Sequence, residues 1–503
     1  MAASHVEAME RHSEQEFACA RTSERPREQQ IARKYRVAKT QMGDVGPIRI
    51  CRTRSIQRKA IAMPKVSPYE RFAFLGRTLL ILALSMVVMA QDDPPYTTYK
   101  SFDEVLKAGN VRYPEAIRVT SAGTTERPTY HGFFFYNCLQ FDPTGRSMLA
   151  FRVYIQERAV QPSDMGHVGI IDLQKGNNWT TVGQSTAWNW QQGCRVQWRP
   201  RSEEILWNDR SDDGKKFVCR AYDFRTGKTR TLPRPTYALS PDGTTALTHD
   251  FERMKHRGTD YVGIPDKYED QYAPKETGIW KMDLNTGETE MIMSLDRIAD
   301  IVHPDKRPSK GLLYFFREGW NPSGTRFIAF VKNHERNRTK FTLAYSMTAE
   351  GTDVRFLYNN PSHHFWVDDS HVADWSRTLA PKGYYLFKDD GSGKPKALLW
   401  KSDYNGHDIY HPNSEWVLSD TYSISGWQYL FLFHLRTKLF VPLGKFEARN
   451  ARGLFRVDLH PRFSPDGNLV SFDATHEGLG RQIYTMDISR IVSNPPDATR
   501  GRH

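Results

Sequence analysis

The sequence predicts an all-β chain: a seven-bladed β-propeller of four-stranded antiparallel blades. Three observations predict it. A short turn motif recurs seven times, each copy leads into an alternating strand, and no long amphipathic helix interrupts the series. The motif is an aromatic or apolar residue, a polar-Pro-Asp/Asn-Gly turn, then the strand. Its copies are FDPTGRSMLAF (141–151), WRPRSEEILWN (198–208), LSPDGTTALTH (239–249), WNPSGTRFIAF (320–330), VDDSHVADW (367–375), HPNSEWVLSD (411–420) and FSPDGNLVSF (463–472). Pro-Asp-Gly and Pro-Ser-Gly preset the turn of a tight hairpin. Most copies are followed by a further strand and polar turn, as in GIIDLQKGN and IWKMDLNTGET. Four short strands per unit make a propeller blade.

From the N-terminus, residues 1–62 are rich in Arg, Glu and Gln and lack apolar periodicity, so they read as disordered or as an upstream start before Met63. Residues 63–90 read as a signal peptide. The apolar run Thr78–Ala90 follows Lys65, Arg71 and Arg77, and Val88 and Ala90 suit a signal-peptidase site. The run is shorter than the roughly 20 residues of a bilayer span. Export with cleavage near Ala90, and no membrane span in the mature chain, is therefore expected. Residues 91–127 form a lead-in, 128–490 the propeller, and 491–503 a tail.

The formal charge of +12 is split unevenly, with +8 lying in residues 1–90. The remaining +4 gives no argument for nucleic acid. Of five cysteines, Cys138, Cys194 and Cys219 follow the signal, which allows one disulfide or none. There is no CxxC, GxGxxG, GxxxxGK[ST], GxSxG or HExxH, so zinc ribbons, nucleotide chemistry, serine hydrolysis and zincin proteolysis lack their usual signatures.

Polar chemistry concentrates at blade starts. PSHHFW holds His363 and His364, GHDIYH holds His407 and His411, and DLHP holds Asp458 and His460. First strands line the channel, so these residues converge there. Imidazoles with a carboxylate suit Mn²⁺, Zn²⁺ or Fe²⁺, with Ca²⁺ a further candidate. The other reading is one His per blade bonded to its neighbour's backbone. YHGFFFY carries His131 ahead of blade one. In AWNWQQGCRVQW, Trp190, Gln191 and Gln192 either face a sugar or pack between blades. Blade three carries an insertion over 249–274, rich in charge and Tyr, with Arg257 and Tyr261 as candidate substrate contacts. It is a ligand-binding rim or a solvated loop. Tyr237 and Arg253 flank the blade-three hairpin, where a phenol and a guanidinium sharing one rim would handle a proton and a carboxylate.

These blocks together resemble the propeller-fold polysaccharide lyases, the oligogalacturonate and ulvan lyases, within the wider TolB-like propeller group. SHHFW, GHDIYHPNSEWVLSD and DLHPRFSPDGNLVSFDATHEGLGRQIY carry the likeness, with WNWQQG and the Tyr237/Arg253 spacing similar to the ulvan-lyase branch. The resemblance implies β-elimination on a uronate-containing acidic polysaccharide. Arg253 would neutralise the carboxylate, Tyr237 and His131 would move protons, and His364, His407, Asp458 and His460 would hold the metal. Ulvan lyases carry a second His where this chain has Phe151 and Arg152. The alternatives are a non-catalytic propeller binding glycan or protein in the cell envelope, and a glycoside hydrolase, which needs two facing carboxylates.

Overall fold

The computed structural model describes residues 96–254, 259–305, 308, 310–335, 338–412, 415–449 and 453–496. The N-terminal extension, the signal-peptide segment and Arg257 lie outside the described residues. Seven four-stranded antiparallel sheets follow one another in a ring. The strands nearest the axis are Tyr130–Gly132, Gln197–Trp198, Ala238–Leu239, Leu312–Trp320, Phe365–Asp368, Asp408–Tyr410 and Arg462–Phe463. All seven turn motifs fall between the first and second strands of their blades. The lead-in closes the ring. Its strand Ile117–Arg118 pairs with Gln482–Asp487 and completes blade seven, and Thr120 Oγ1 donates to Gln482 at 2.8 Å.

The turns show why Gly is required. Gly243 and Gly467 both have positive φ, 72° and 76°. A Cβ on Gly243 would sit 2.0 Å from the Pro200 carbonyl oxygen, and one on Gly467 2.0 Å from His411 Nε2. Each turn is wedged against the preceding blade, where only hydrogen fits. The blades pack through aliphatic and aromatic faces, in clusters such as Leu418, Leu430, Val470 and Phe472. The helix Phe102–Lys107 is capped by Ser101 Oγ and buries Phe102 against Phe431 and Phe440 of blade six. Cys138, Cys194 and Cys219 are buried free thiols, so the outcome is no disulfide among them. No helix of the described residues is long and apolar enough to cross a membrane.

Candidate functional site

Blade one does something the other six do not. Its first strand stops at Gly132 and pairing resumes only at Phe141, opposite Met148. The intervening residues 133–140 leave the ladder and carry Phe135 and Tyr136 to the central cavities. Phe134 takes a φ of +72°, a costly turn for a residue with a Cβ. The Asp473 carboxylate holds it, accepting the Phe133 amide at 3.2 Å and the Phe134 amide at 3.1 Å. The result is a plug of two aromatic rings, Phe135 and Tyr136, on the axis. Tyr136 lies 5.9, 5.6 and 6.3 Å, ring to ring, from His363, His407 and His460.

Asp420, at the end of the strand Trp416–Asp420, organises those histidines. It accepts the His407 amide at 2.7 Å and the His460 amide at 3.0 Å, and its oxygens lie 3.0 and 3.1 Å from His407 Nδ1. A carboxylate on Nδ1 turns Nε2 outward as a free lone pair, the usual arrangement behind a ligating imidazole. Asp374 accepts the His363 amide at 2.8 Å in the same manner one blade earlier. His407, Asp458 and His460 then offer ligand atoms that all lie within 4.8 Å of one another, all buried. Neither ring nitrogen of His460 has a hydrogen-bond partner. Burial holds His460 far below the usual imidazole range, helped by His407, Arg462, Arg481 and Arg456. His363, 4.2 Å from His407, is lowered too, first by burial and then by Arg317. Imidazoles beside a carboxylate fit a divalent transition metal.

A cavity of about 500 Å³ opens on this cluster. Its wall includes Phe135, Gln191, Gln192, Tyr422 and Lys332, together with the guanidinium groups of Arg317 and Arg456. Arg317 sits in a bulge of the strand Leu312–Trp320, with φ +57°. Its guanidinium lies 5.3 and 5.1 Å over the Phe135 and Phe316 rings and donates to the Ser362 carbonyl. Arg456 donates to Asp458 at 2.9 Å. Burial pushes the Tyr422 phenol up to about 12, Asp458 adding to this and Arg456 opposing it, so the phenol stays protonated.

The residues singled out in the sequence divide sharply. The structure brings His407, Asp458 and His460 together and puts Gln191 and Gln192 in the cavity wall. It sets His363, rather than His364, beside His407. The His364 ring packs over Gly319 on the far side of the plug. His411 Nε2 donates to the Gly467 carbonyl at 3.2 Å, the blade-to-blade role. Tyr237 lies one layer behind the wall, where Gln192 Nε2 donates to its oxygen at 3.1 Å and Arg195 stacks 3.9 Å over its ring. Burial raises this phenol to about 12. We predict that Tyr237→Phe costs about 1 kcal/mol in urea unfolding, the net value of one buried hydrogen bond.

Arg253 is committed elsewhere. It pairs with Asp266 at 2.9 Å and donates to the carbonyls of Leu313, Tyr268, Gln271 and Tyr272. Its work is to tie the insertion's own loops together and to the first strand of blade four, and it has no donor left for a substrate carboxylate. Tyr261 stacks on Phe251 at 4.4 Å in the core. Trp190 packs on Trp188 and donates to the Arg158 carbonyl. His131 is buried against Trp179, its pKa lowered to about 3 by burial and Arg152. Phe151 is core and Arg152 covers Trp179. None of these lines the cavity. Among its described residues, the insertion reaches it at Thr259, whose carbonyl accepts from Asn189 at 3.0 Å.

Arg317, Lys332, Tyr422, Arg456 and the orienting Asp420 were not singled out in the sequence. One signal was present for Asp420: HVADW, WVLSD and LVSFD all place an Asp at the inner end of a second strand, and the three are Asp374, Asp420 and Asp473.

No family model matches the chain, and no curated protein matches it. Among solved structures, an oligogalacturonate lyase in complex with manganese is similar, with 14% identity and a TM-score of 0.53, covering 78% of this chain and 96% of its own. An oligogalacturonate lyase from Vibrio parahaemolyticus is similar at 12% identity and a TM-score of 0.50, with the same coverage of both chains. At such identity the likeness concerns the propeller fold and carries neither enzyme's chemistry with it.

Proposed function

We propose that this protein is an exported, metal-assisted lyase that cleaves uronate-containing saccharides by β-elimination. One observation supports it above the rest: a cavity in which Arg317, Lys332 and Arg456 stand beside the His407–Asp458–His460 cluster. The volume of about 500 Å³ is within the range of small-ligand pockets, and its cations suit an anionic sugar. His407, Asp458 and His460 would hold a divalent ion, Mn²⁺ or Zn²⁺, whose contribution is Lewis-acid polarisation of the uronate carboxylate. Arg317 adds a fixed positive charge where the enolate-like charge develops. We assign the C5 proton to Lys332, acting as the uncharged amine, and the return of a proton to the departing C4 oxygen to Tyr422; the ammonium and phenolate left behind exchange a proton with solvent before the next turnover. The C5–H and C4–O bonds break and a C4–C5 double bond forms.

Absorbance at 235 nm tests the reading, with Mn²⁺ present and oligogalacturonate, ulvan, heparinoid and alginate as substrates. A rise on at least one is expected, and Arg317→Gln should slow it by about 10²-fold, the scale of losing one preorganised charge-stabilising donor. One observation favours a second reading, a non-catalytic receptor for the same anionic sugars. Tyr237 and Arg253, given catalytic roles by resemblance, are both engaged inside the fold. A flat trace with saturable heat of binding selects the receptor, and a flat trace without binding removes both.

A further inference from the structure

The plug divides the channel, and beyond it lies another cavity of about 380 Å³ with opposite chemistry. Adjacent residues split between the two. Phe135, Arg317 and His407 line the first, while Tyr136, Glu318 and Asp408 line the second. Among the described residues, no Lys or Arg lines the second cavity. Its polar groups include Glu318, Asp408 and His364, and Trp320, Trp366 and Tyr410 are among its aromatic walls.

Asp408 is the anomaly. It is 0% exposed, and neither carboxylate oxygen has a hydrogen-bond partner. Burial raises its pKa well above the usual carboxylate range, Asp420 and Asp374 adding to this and the Ser419 and Tyr384 hydroxyls opposing it, and a cation beside it would restore the charge. His364 Nδ1 is also buried without a partner. Glu318, likewise 0% exposed, has only His249 Nδ1 at 2.9 and 2.8 Å. A buried carboxylate with no partner is among the least favourable groups in a fold, and a cation relieves it. Aromatic faces around such a site favour an organic cation over a hydrated ion. A bare metal fits less well. Among the described residues, His407, Asp458 and His460 are the one group whose ligand atoms cluster tightly enough for it.

We propose that this second mouth binds an alkylammonium group, held by Asp408 and Glu318 against Trp320 and Trp366. The group belongs to a free amine or to a lysine side chain, and the test separates the two sources. The chain beginning at Gln91 is titrated with n-butylammonium chloride, n-butanol and a short acetylated Gly-Lys-Gly peptide, by calorimetry and Trp fluorescence. Saturable binding of n-butylammonium is expected, with n-butanol and sodium chloride failing to compete. Asp408→Asn should weaken it at least about tenfold, as loss of one partner of a buried charge pair does. Tyr410→Ala, which leaves both carboxylates in place, should weaken it severalfold if Asp408→Asn proves unstable. Tighter binding of the peptide assigns the site to a partner's lysine, and tighter binding of the amine to a metabolite. The absence of saturable binding, equal binding of n-butanol, or undiminished binding in both variants overturns the site.

Discussion

The double substitution His407→Ala/His460→Ala is expected to abolish stoichiometric divalent-metal binding, measured by elemental analysis after dialysis against Mn²⁺ or Zn²⁺. The wild-type chain is expected to retain about one ion, since two imidazoles and a carboxylate converge within 4.8 Å. Removing both imidazoles leaves Asp458 as the sole first-contact donor, already shared with Arg456 at 2.9 Å. A graded companion is Asp420→Asn. Asn keeps an acceptor for one backbone amide but removes the charge that fixes His407 through Nδ1, and losses behind a ligating His run about 10–100-fold in affinity. Full occupancy in the double variant would eliminate these ligands. Unchanged affinity in Asp420→Asn would show that His407 is oriented by packing alone.

The ring and its seven blades were legible because they are written locally. Each blade repeats one turn whose Pro and Gly fix backbone angles, and the alternating strand after it has only one way to bury its apolar side. His407 and His460 were legible for the same reason: each sits five residues before the Pro of that turn in neighbouring blades, with Asp458 two residues ahead of His460. His363 and His364 show the limit. The two are adjacent, and strand geometry sends neighbours to different sides, so a one-residue choice of register decides which one faces the channel. Arg253 and Tyr237 show another limit. Hairpin length put them near each other, but only the folded insertion reveals that Arg253 is consumed by Asp266 and four carbonyl groups. Arg317 and Lys332 escaped notice because blade four carries no His at its start, and a charged residue in an apolar run looks like ordinary surface. The plug at 133–140 was invisible. YHGFFFY reads as one apolar strand, and its interruption depends on Asp473, more than 300 residues away.

That dependence gives the largest stability prediction. Asp473→Ala should destabilise the chain by about 3–5 kcal/mol, read as a lower urea midpoint. The carboxylate is fully buried and bonds Arg462 Nη2 at 2.9 Å and Arg481 Nη1 at 3.1 Å, both guanidiniums themselves buried. It also accepts the Phe133 and Phe134 amides. Truncation therefore leaves two buried cations facing each other without their anion, and orphans two amides besides. Burial already lowers the pKa of both arginines, and Asp473 is the nearest influence opposing that shift. Asp473→Asn separates the two contributions. It restores an acceptor for the amides but no charge, so it should recover only the smaller part of the loss. The site should register the same change. Phe135 and Tyr136 continue the backbone that Asp473 anchors, and Tyr136 packs on His407 and His460, so metal affinity should fall in Asp473→Asn even where the chain remains folded. An Asp473→Ala variant within about 1 kcal/mol of wild type, the ordinary scale of a single substitution, would mean that the plug is held by its aromatic packing and that Arg462 and Arg481 find solvent instead.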